Sequence, residues 1–321
     1  MDIIFLDAAT VGNVPNLGKI KEFGTLTTYQ NTQAEEVAKR IKGAEVVITN
    51  KVPLTKAVIS EAKALKLICV AATGMNNIDV EAAKARQILI KNVEDYSTHS
   101  VAQHTLSLVL ELLNRPALHH EYVFDGSYSR NNQFTYLGSP YWQLHGKRFG
   151  IIGLGHIGSQ VARIAEAFGC EIVYWSSSGK DRNPSYQRLE LDDLLSSSDV
   201  VSIHAPLSDQ TNQLISYEKI QLMKDQALLI NTSRGGIIKE DDLARATHDR
   251  LIRGAAIDVF SEEPLPEDHP YLKTKDPDRL LLTPHVAWAS IESRTLLIDR
   301  ICENIRDFLK DAPRGDTDHK G

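Results

Sequence analysis

Cysteine is scarce: Cys69, Cys170 and Cys302 are the three in a chain of 321 residues. None belongs to a CxxC pair or stands at the His spacings of zinc sites, so neither a disulfide framework nor a bound metal is expected. The three read as reduced core thiols. A basic block is equally absent. Lys and Arg number 36 against 42 Asp and Glu, a net charge of −6, which argues against nucleic acid or an anionic membrane as partner and favours a small molecule. No apolar run is long enough to span a bilayer, and the opening MDIIFLDAAT, with acids at Asp2 and Asp7, fits neither a signal peptide nor an anchor. The cytoplasm is the expected location. No repeat or low-complexity tract is present, and only the stretch from Ala312, APRGDTDHKG, has the composition of a tail. It is assigned no function.

What the sequence does contain is a core. Hydrophobic residues are 42% and charged residues 24% of the chain, the balance of a globular protein, and the length suits two domains with a cleft. Short β-branched runs alternate with helical patterns, the signature of βαβ units wound into parallel sheets. A first series places strands at Ile3–Leu6, Glu45–Thr49, Leu67–Ala71 and Ile88–Asn92. A second places six, at Phe149–Gly153, Glu171–Trp175, Val200–Ala205, Ala227–Thr232, Ala255–Val259 and Leu280–Thr283. Between them, Ser100–Leu113 reads as a connecting helix closed before Pro116. A last helical pattern from about Ser290 to Leu309 is long enough to return to the first lobe. The expected fold is α/β with two doubly wound parallel-sheet domains: a flavodoxin-like domain of residues 1–98 completed by 287–321, and a Rossmann domain of residues 99–286.

Gly153-Leu154-Gly155-His156-Ile157-Gly158 follows the strand FGII and leads into the helix-like SQVARIAEAFG, the context a dinucleotide loop requires. Gly153 permits the tight turn, Gly155 lets backbone approach a pyrophosphate, and Gly158 allows close helix–strand packing. The helix N-terminus offers its N–H groups to the anion. The acid expected about 20 residues on, which would hold the ribose hydroxyls of NAD, is missing. Ser176, Ser177 and Ser178 with Lys180 stand in its place. They suit a 2′-phosphate or a ribose, so NAD and NADP both stay open.

Three ionisable residues fall at strand ends of the second series, where an open parallel sheet places its ligand. Arg234, before Gly235-Gly236, presents a planar charged fork suited to a carboxylate. Glu263 lies just past a strand in DVFSEEP, and His285 follows LLLTP. Singly, these read as a surface arginine, a solvated acidic loop and a packed histidine. Together they supply a cation for a substrate carboxylate, an acid–base near neutral pH and a carboxylate to orient it.

On the segments GLGHIG, NTSRGG, GAAIDVFSEEP and LTPHVAWAS, and on the spacing from Arg234 through Glu263 to His285, the chain resembles the D-isomer-specific 2-hydroxyacid dehydrogenase family over nearly its full length. The resemblance implies an NAD(P)-dependent oxidoreductase reducing a small 2-oxo acid. Arg234 would bind the acid, His285 would exchange the proton, and Glu263, the acid before proline rather than Glu262, would hold the imidazole. It further implies that Thr73, Gly74 and Met75 seat the substrate carboxylate on backbone N–H groups. Asp258 would bond the carboxamide, with His204, Ala205, Pro206 and Thr232 lining the cofactor groove. Trp288 either caps the substrate pocket or packs the final helix. The VAWAS stretch is most similar to the glycerate dehydrogenase and hydroxypyruvate reductase branch, with D-lactate, glyoxylate and phosphoglycerate chemistry as alternatives. From another class, an NAD(H)-sensing corepressor shares the fold. Formate dehydrogenase differs, having glutamine at the position of Glu263. By position, His119–Trp142 matches the arm with which the family dimerises, so a homodimer is expected.

Overall fold

A computed structural model describes residues 1–180, 183, 185–274 and 276–311, and the chain forms two compact units. The tail from Ala312 lies outside the described residues. One unit comprises Met1–Ser97 with the described residues from Ala289 on; the other is Thr98–Trp288.

The first unit is a five-stranded parallel sheet of β1 (Asp2–Phe5), β2 (Thr25–Thr28), β3 (Val46–Thr49), β4 (Leu67–Val70) and β5 (Leu89–Lys91), ordered β2-β1-β3-β4-β5. β3 and β4, VVIT and LICV, are buried at every position, as strands covered on both faces must be. β2 is a strand the sequence pattern did not single out. Its residues, TLTT, are largely exposed at the sheet edge, so it carries no apolar run to detect. Helix Ile291–Asp311 belongs to this unit and buries Leu297, Ile298, Ile301, Cys302 and Ile305 along one stripe, packing on β4.

The second unit holds seven parallel strands: β6 (Arg148–Ile152), β7 (Glu171–Trp175), β8 (Gln187–Arg188), β9 (Val200–Ile203), β10 (Leu228–Asn231), β11 (Gly254–Ile257) and β12 (Leu280–Leu282). Their order is β12-β11-β10-β9-β6-β7-β8, the dinucleotide-fold order with the topological switch between β6 and β9. Six were expected from the pattern. The seventh, β8, is a two-residue edge strand too short to leave a periodic signal. Helix Thr98–Asn114 buries Val101, Ala102, Thr105, Leu106, Leu108, Val109, Leu112 and Leu113, and packs on helix His156–Ala167 and on β10 and β11. Arg115, in the left-handed region, breaks the helix, and Pro116 opens the next one at its first turn.

Candidate active site

At the switch point the backbone itself forms a cradle. Gly153 has φ +95, and a Cβ there would stand 2.5 Å from the Ala205 nitrogen. Only glycine lets the end of β6 run so close to the His204-Ala205 turn after β9. Gly158 is pressed against Gly153, whose oxygen would lie 2.2 Å from an added Cβ. At Gly155, by contrast, an added Cβ meets nothing within 4 Å. Gly155 is also the N-cap of helix His156–Ala167, with no side chain capping that end. An open approach onto a helix N-terminus of twelve residues fits a pyrophosphate. Past β7, the Ser176 and Ser178 hydroxyls are 3.1 Å apart, Ser177 is half-buried and Lys180 is exposed. These groups fit a ribose or its phosphate.

The walls of the cradle are polar but satisfied. His204 Nε2 lies 2.8 Å from the Ser202 hydroxyl, and burial pushes its pKa down to about 3, so the ring is neutral. Pro206 accepts from the Thr211 hydroxyl at 2.6 Å. The Thr232 and Thr105 hydroxyls pair at 3.1 Å.

Asn231 shapes the turn that carries Arg234. Its amide donates to the Arg234 carbonyl at 2.9 Å and its oxygen accepts the Ser233 N–H at 3.0 Å. The half-buried Arg234 guanidinium donates to the Ser233 carbonyl at 2.7 Å. Among the described residues it has no ion pair. A cation held this way is suited to an anionic ligand.

Glu263 and His285, distant in sequence, meet at 2.7 Å between Oε2 and Nδ1. The other carboxylate oxygen accepts the Phe260 N–H at 2.9 Å. With Nδ1 turned to the carboxylate, Nε2 is the ring atom available for proton exchange. His285 has φ +54, a conformation rarely adopted by residues other than glycine and one that needs support from its surroundings. The support is Asp258. Its carbonyl accepts the His285 N–H at 2.8 Å. Its fully buried carboxylate accepts from Val286 N–H at 3.0 Å, Ala287 N–H at 2.9 Å and the Thr283 hydroxyl at 2.5 Å.

His104, on helix Thr98–Asn114, reaches the same cluster, 3.2 Å from the Thr283 hydroxyl and 3.6 Å from Asp258. The sequence reading passed over His104 and Asn231. His104 lies inside an apolar helix and Asn231 closes an apolar strand, where polar residues read as isolated exceptions. Trp288 is half-buried three positions beyond His285. In the first unit, Thr73, Gly74 and Met75 follow β4. The Thr73 hydroxyl donates to the Val93 carbonyl at 3.0 Å, and the Thr73 carbonyl accepts from Asn92 at 2.7 Å.

A parallel sheet ordered about a glycine-lined switch point, with a carboxylate–imidazole pair in the same unit, defines a dinucleotide-binding α/β class of protein. Residues 106–287 match the model of the D-isomer specific 2-hydroxyacid dehydrogenase, NAD binding domain. The chain is 37% identical over 287 residues to a hydroxypyruvate reductase of Blautia hydrogenotrophica, covering 88% of this chain and 87% of that one. It is 34% identical over 316 residues to a glycerate dehydrogenase of Methylorubrum extorquens, covering 97% of each. An acyclic imino acid reductase solved with NADPH and D-Arg superposes with a TM-score of 0.85 at 28% identity, covering 97% of each chain. The chain belongs to the D-isomer-specific 2-hydroxyacid dehydrogenase family, whose members are NAD(P)-dependent oxidoreductases acting on CH–OH donors.

No described helix is long and apolar enough to cross a membrane. Among the described residues, no group of three His, Cys, Asp or Glu is placed to hold a metal.

Proposed function

We propose that the protein reduces a small 2-oxo acid, hydroxypyruvate or glyoxylate before others, to the D-2-hydroxy acid, and catalyses the reverse oxidation. The observation that carries this is the 2.7 Å Glu263–His285 pair in the unit that holds the dinucleotide cradle. The names of the similar hydroxypyruvate reductase and glycerate dehydrogenase support the substrate class. A nicotinamide cofactor supplies the hydride. Gly153, Gly155, His156, Ile157 and Gly158 hold its pyrophosphate, Ser176, Ser177 and Lys180 its ribose end, and His204, Ala205, Pro206 and Thr232 line its groove. Arg234 binds the substrate carboxylate and polarises the keto oxygen. His285, protonated, gives its Nε2 proton to that oxygen while Glu263 stabilises the imidazolium.

Thr73, Gly74 and Met75, on the loop after β4, offer backbone N–H groups to a carboxylate in the unit that serves as the substrate domain, and Trp288 borders the acid's side chain. The Asp258 carboxylate is engaged by the chain's own amides, so any bond it makes to the carboxamide is an additional one. Ser176 follows the end of β7 where a carboxylate would exclude a 2′-phosphate, so either NADH or NADPH fits. The three buried free thiols suit a reducing cytoplasm. The arm around Phe134 pairs two copies into a homodimer.

A spectrophotometric screen of NADH and NADPH against hydroxypyruvate, glyoxylate, pyruvate and bulkier 2-oxo acids tests the reading. Hydroxypyruvate or glyoxylate should give the highest kcat/KM, and oxidation of neither cofactor with any acid would refute it. His285→Gln should lower turnover by roughly 10²–10⁴-fold with cofactor affinity kept.

A further inference from the structure

The turn from Phe260 to Glu263 is held from behind by two residues that the reaction does not use. Glu240, the first residue of helix Glu240–His248, accepts the Ser261 N–H on Oε1 at 2.9 Å. Its Oε2 lies 3.3 Å from His269 Nε2. His269 Nδ1 accepts the Tyr271 N–H at 3.2 Å, which places the ring proton on Nε2, facing the carboxylate. Both side chains are nearly buried, 10% exposed for His269 and 13% for Glu240. Phe260 closes the cluster, its ring 6.4 Å from those of His269 and Tyr271.

A nearly buried carboxylate needs such partners to offset its desolvation, and here one partner is the backbone of the turn itself. The same turn is pinned from the Arg234 side, where Gly235 fits against the Phe260 and Ser261 backbone. A single short segment, 234–240, thus carries the arginine at one end and the carboxylate clamp at the other. The next bond along the turn is Phe260 N–H to Glu263 Oε1, and the next is Glu263 to His285.

We propose that Glu240 and His269 are positioning residues for proton transfer: a clamp that fixes the Phe260–Glu263 turn and, through it, the aim of Glu263 at His285. The inference rests on the reading of Glu263 and His285 as the acid–base pair. The groups facing that pair are Glu263 on the His285 ring, Asp258 on its backbone, and His104 and Thr283 on Asp258. Facing Glu240 is also the Tyr271 hydroxyl, which burial, with Glu240 and Asp241 adding, pushes well above its ordinary range, so that it stays protonated.

Slackening the turn weakens the support for the imidazolium, so reduction, which needs the protonated ring, should fall off at lower pH. Glu240→Ala and His269→Phe should each lower kcat for reduction by about tenfold or more, the scale of a small misplacement of a reacting group. Both should move the pH midpoint of reduction acidward, in the direction of Glu263→Gln, and leave the KM for cofactor unchanged. Glu240→Gln, whose amide oxygen still accepts the Ser261 N–H, should lie between Glu240→Ala and the wild type. Leu243→Ala, a core truncation in the same helix, should lower Tm and leave the midpoint in place. If Glu263→Gln moves the midpoint while His269→Phe and Glu240→Ala do not, the clamp is refuted and the acid–base reading stands. If Glu263→Gln leaves it unmoved, the reading falls and the clamp with it.

Discussion

Gly235 and Gly155 are glycines for opposite reasons. A Cβ on Gly235 would lie 2.0 Å from the Phe260 carbonyl carbon, so Gly235→Ala must displace the turn that leads to Glu263. Turnover should drop by about tenfold or more for that displacement, and Tm should fall. At Gly155 the space is open. Gly155→Ala should fold with an unchanged Tm and bind cofactor more weakly, as a fluorescence titration with NADH and NADPH would show. His204 makes a pH argument. Its pKa falls from 6.5 to about 3 through burial, so between those values the unfolded chain takes up a proton that the native ring refuses. Its contribution to stability is complete above about pH 6.5 and is lost as pH falls toward 3. His204→Gln should flatten the decline of Tm over that range. Arg234, Glu263 and His285 were legible as candidates only as a set, from their motifs and spacing, since singly each reads as an ordinary residue. Glu240 and His269 were not, since their roles depend on bonds to amides that only the folded chain brings near.

Among the elements, the His285 turn owes its shape to Asp258. Both carboxylate oxygens accept from amides of the turn, so Asp258→Asn sets an amide donor against a backbone donor. The variant should lose about 1–3 kcal/mol of stability, the cost of a buried unsatisfied group, measured by denaturant unfolding. Wild-type stability would show the carboxylate to be dispensable. Buried strands such as β3, β4 and β9 were readable from apolar runs alone, and helix Thr98–Asn114 from its stripe. β2 and β8 were not. An edge strand draws its order from one neighbour's backbone, and β1 and β7 supply that order without asking anything of the side chains. The same reasoning covers Asp258, whose sequence context marks it as the end of a strand but not as the acceptor for amides 28 and 29 residues away.

At the scale of the whole molecule, the segment from Pro116 to Trp142 has two short helices and a set of exposed apolar side chains. Phe124 is 84%, Phe134 95% and Leu137 81% exposed, a surface that a second copy would cover. Light scattering should give a dimer for the wild type and a monomer for the double variant Phe134→Asp, Leu137→Asp at micromolar concentration. A wild-type monomer would remove the arm's proposed role. The free thiols answer to the fold as a whole. Burial pushes Cys69 up to about 12, and Cys170 and Cys302 each to about 11, so a thiol reagent at neutral pH should modify none of them until the protein unfolds.

Cys302 sits on helix Ile291–Asp311, which the first unit needs to cover β4. All of Thr98–Trp288 is translated between that unit's sheet and its closing helix. On the ribosome, then, the chain's first third emerges without the helix that packs on β4 and must wait, while the domain encoded second is the first to be complete. Ser100 and Ala287, bonded at 2.7 Å across the base of that second unit, bring its two ends together, so the late helix emerges beside the point where the early chain left off.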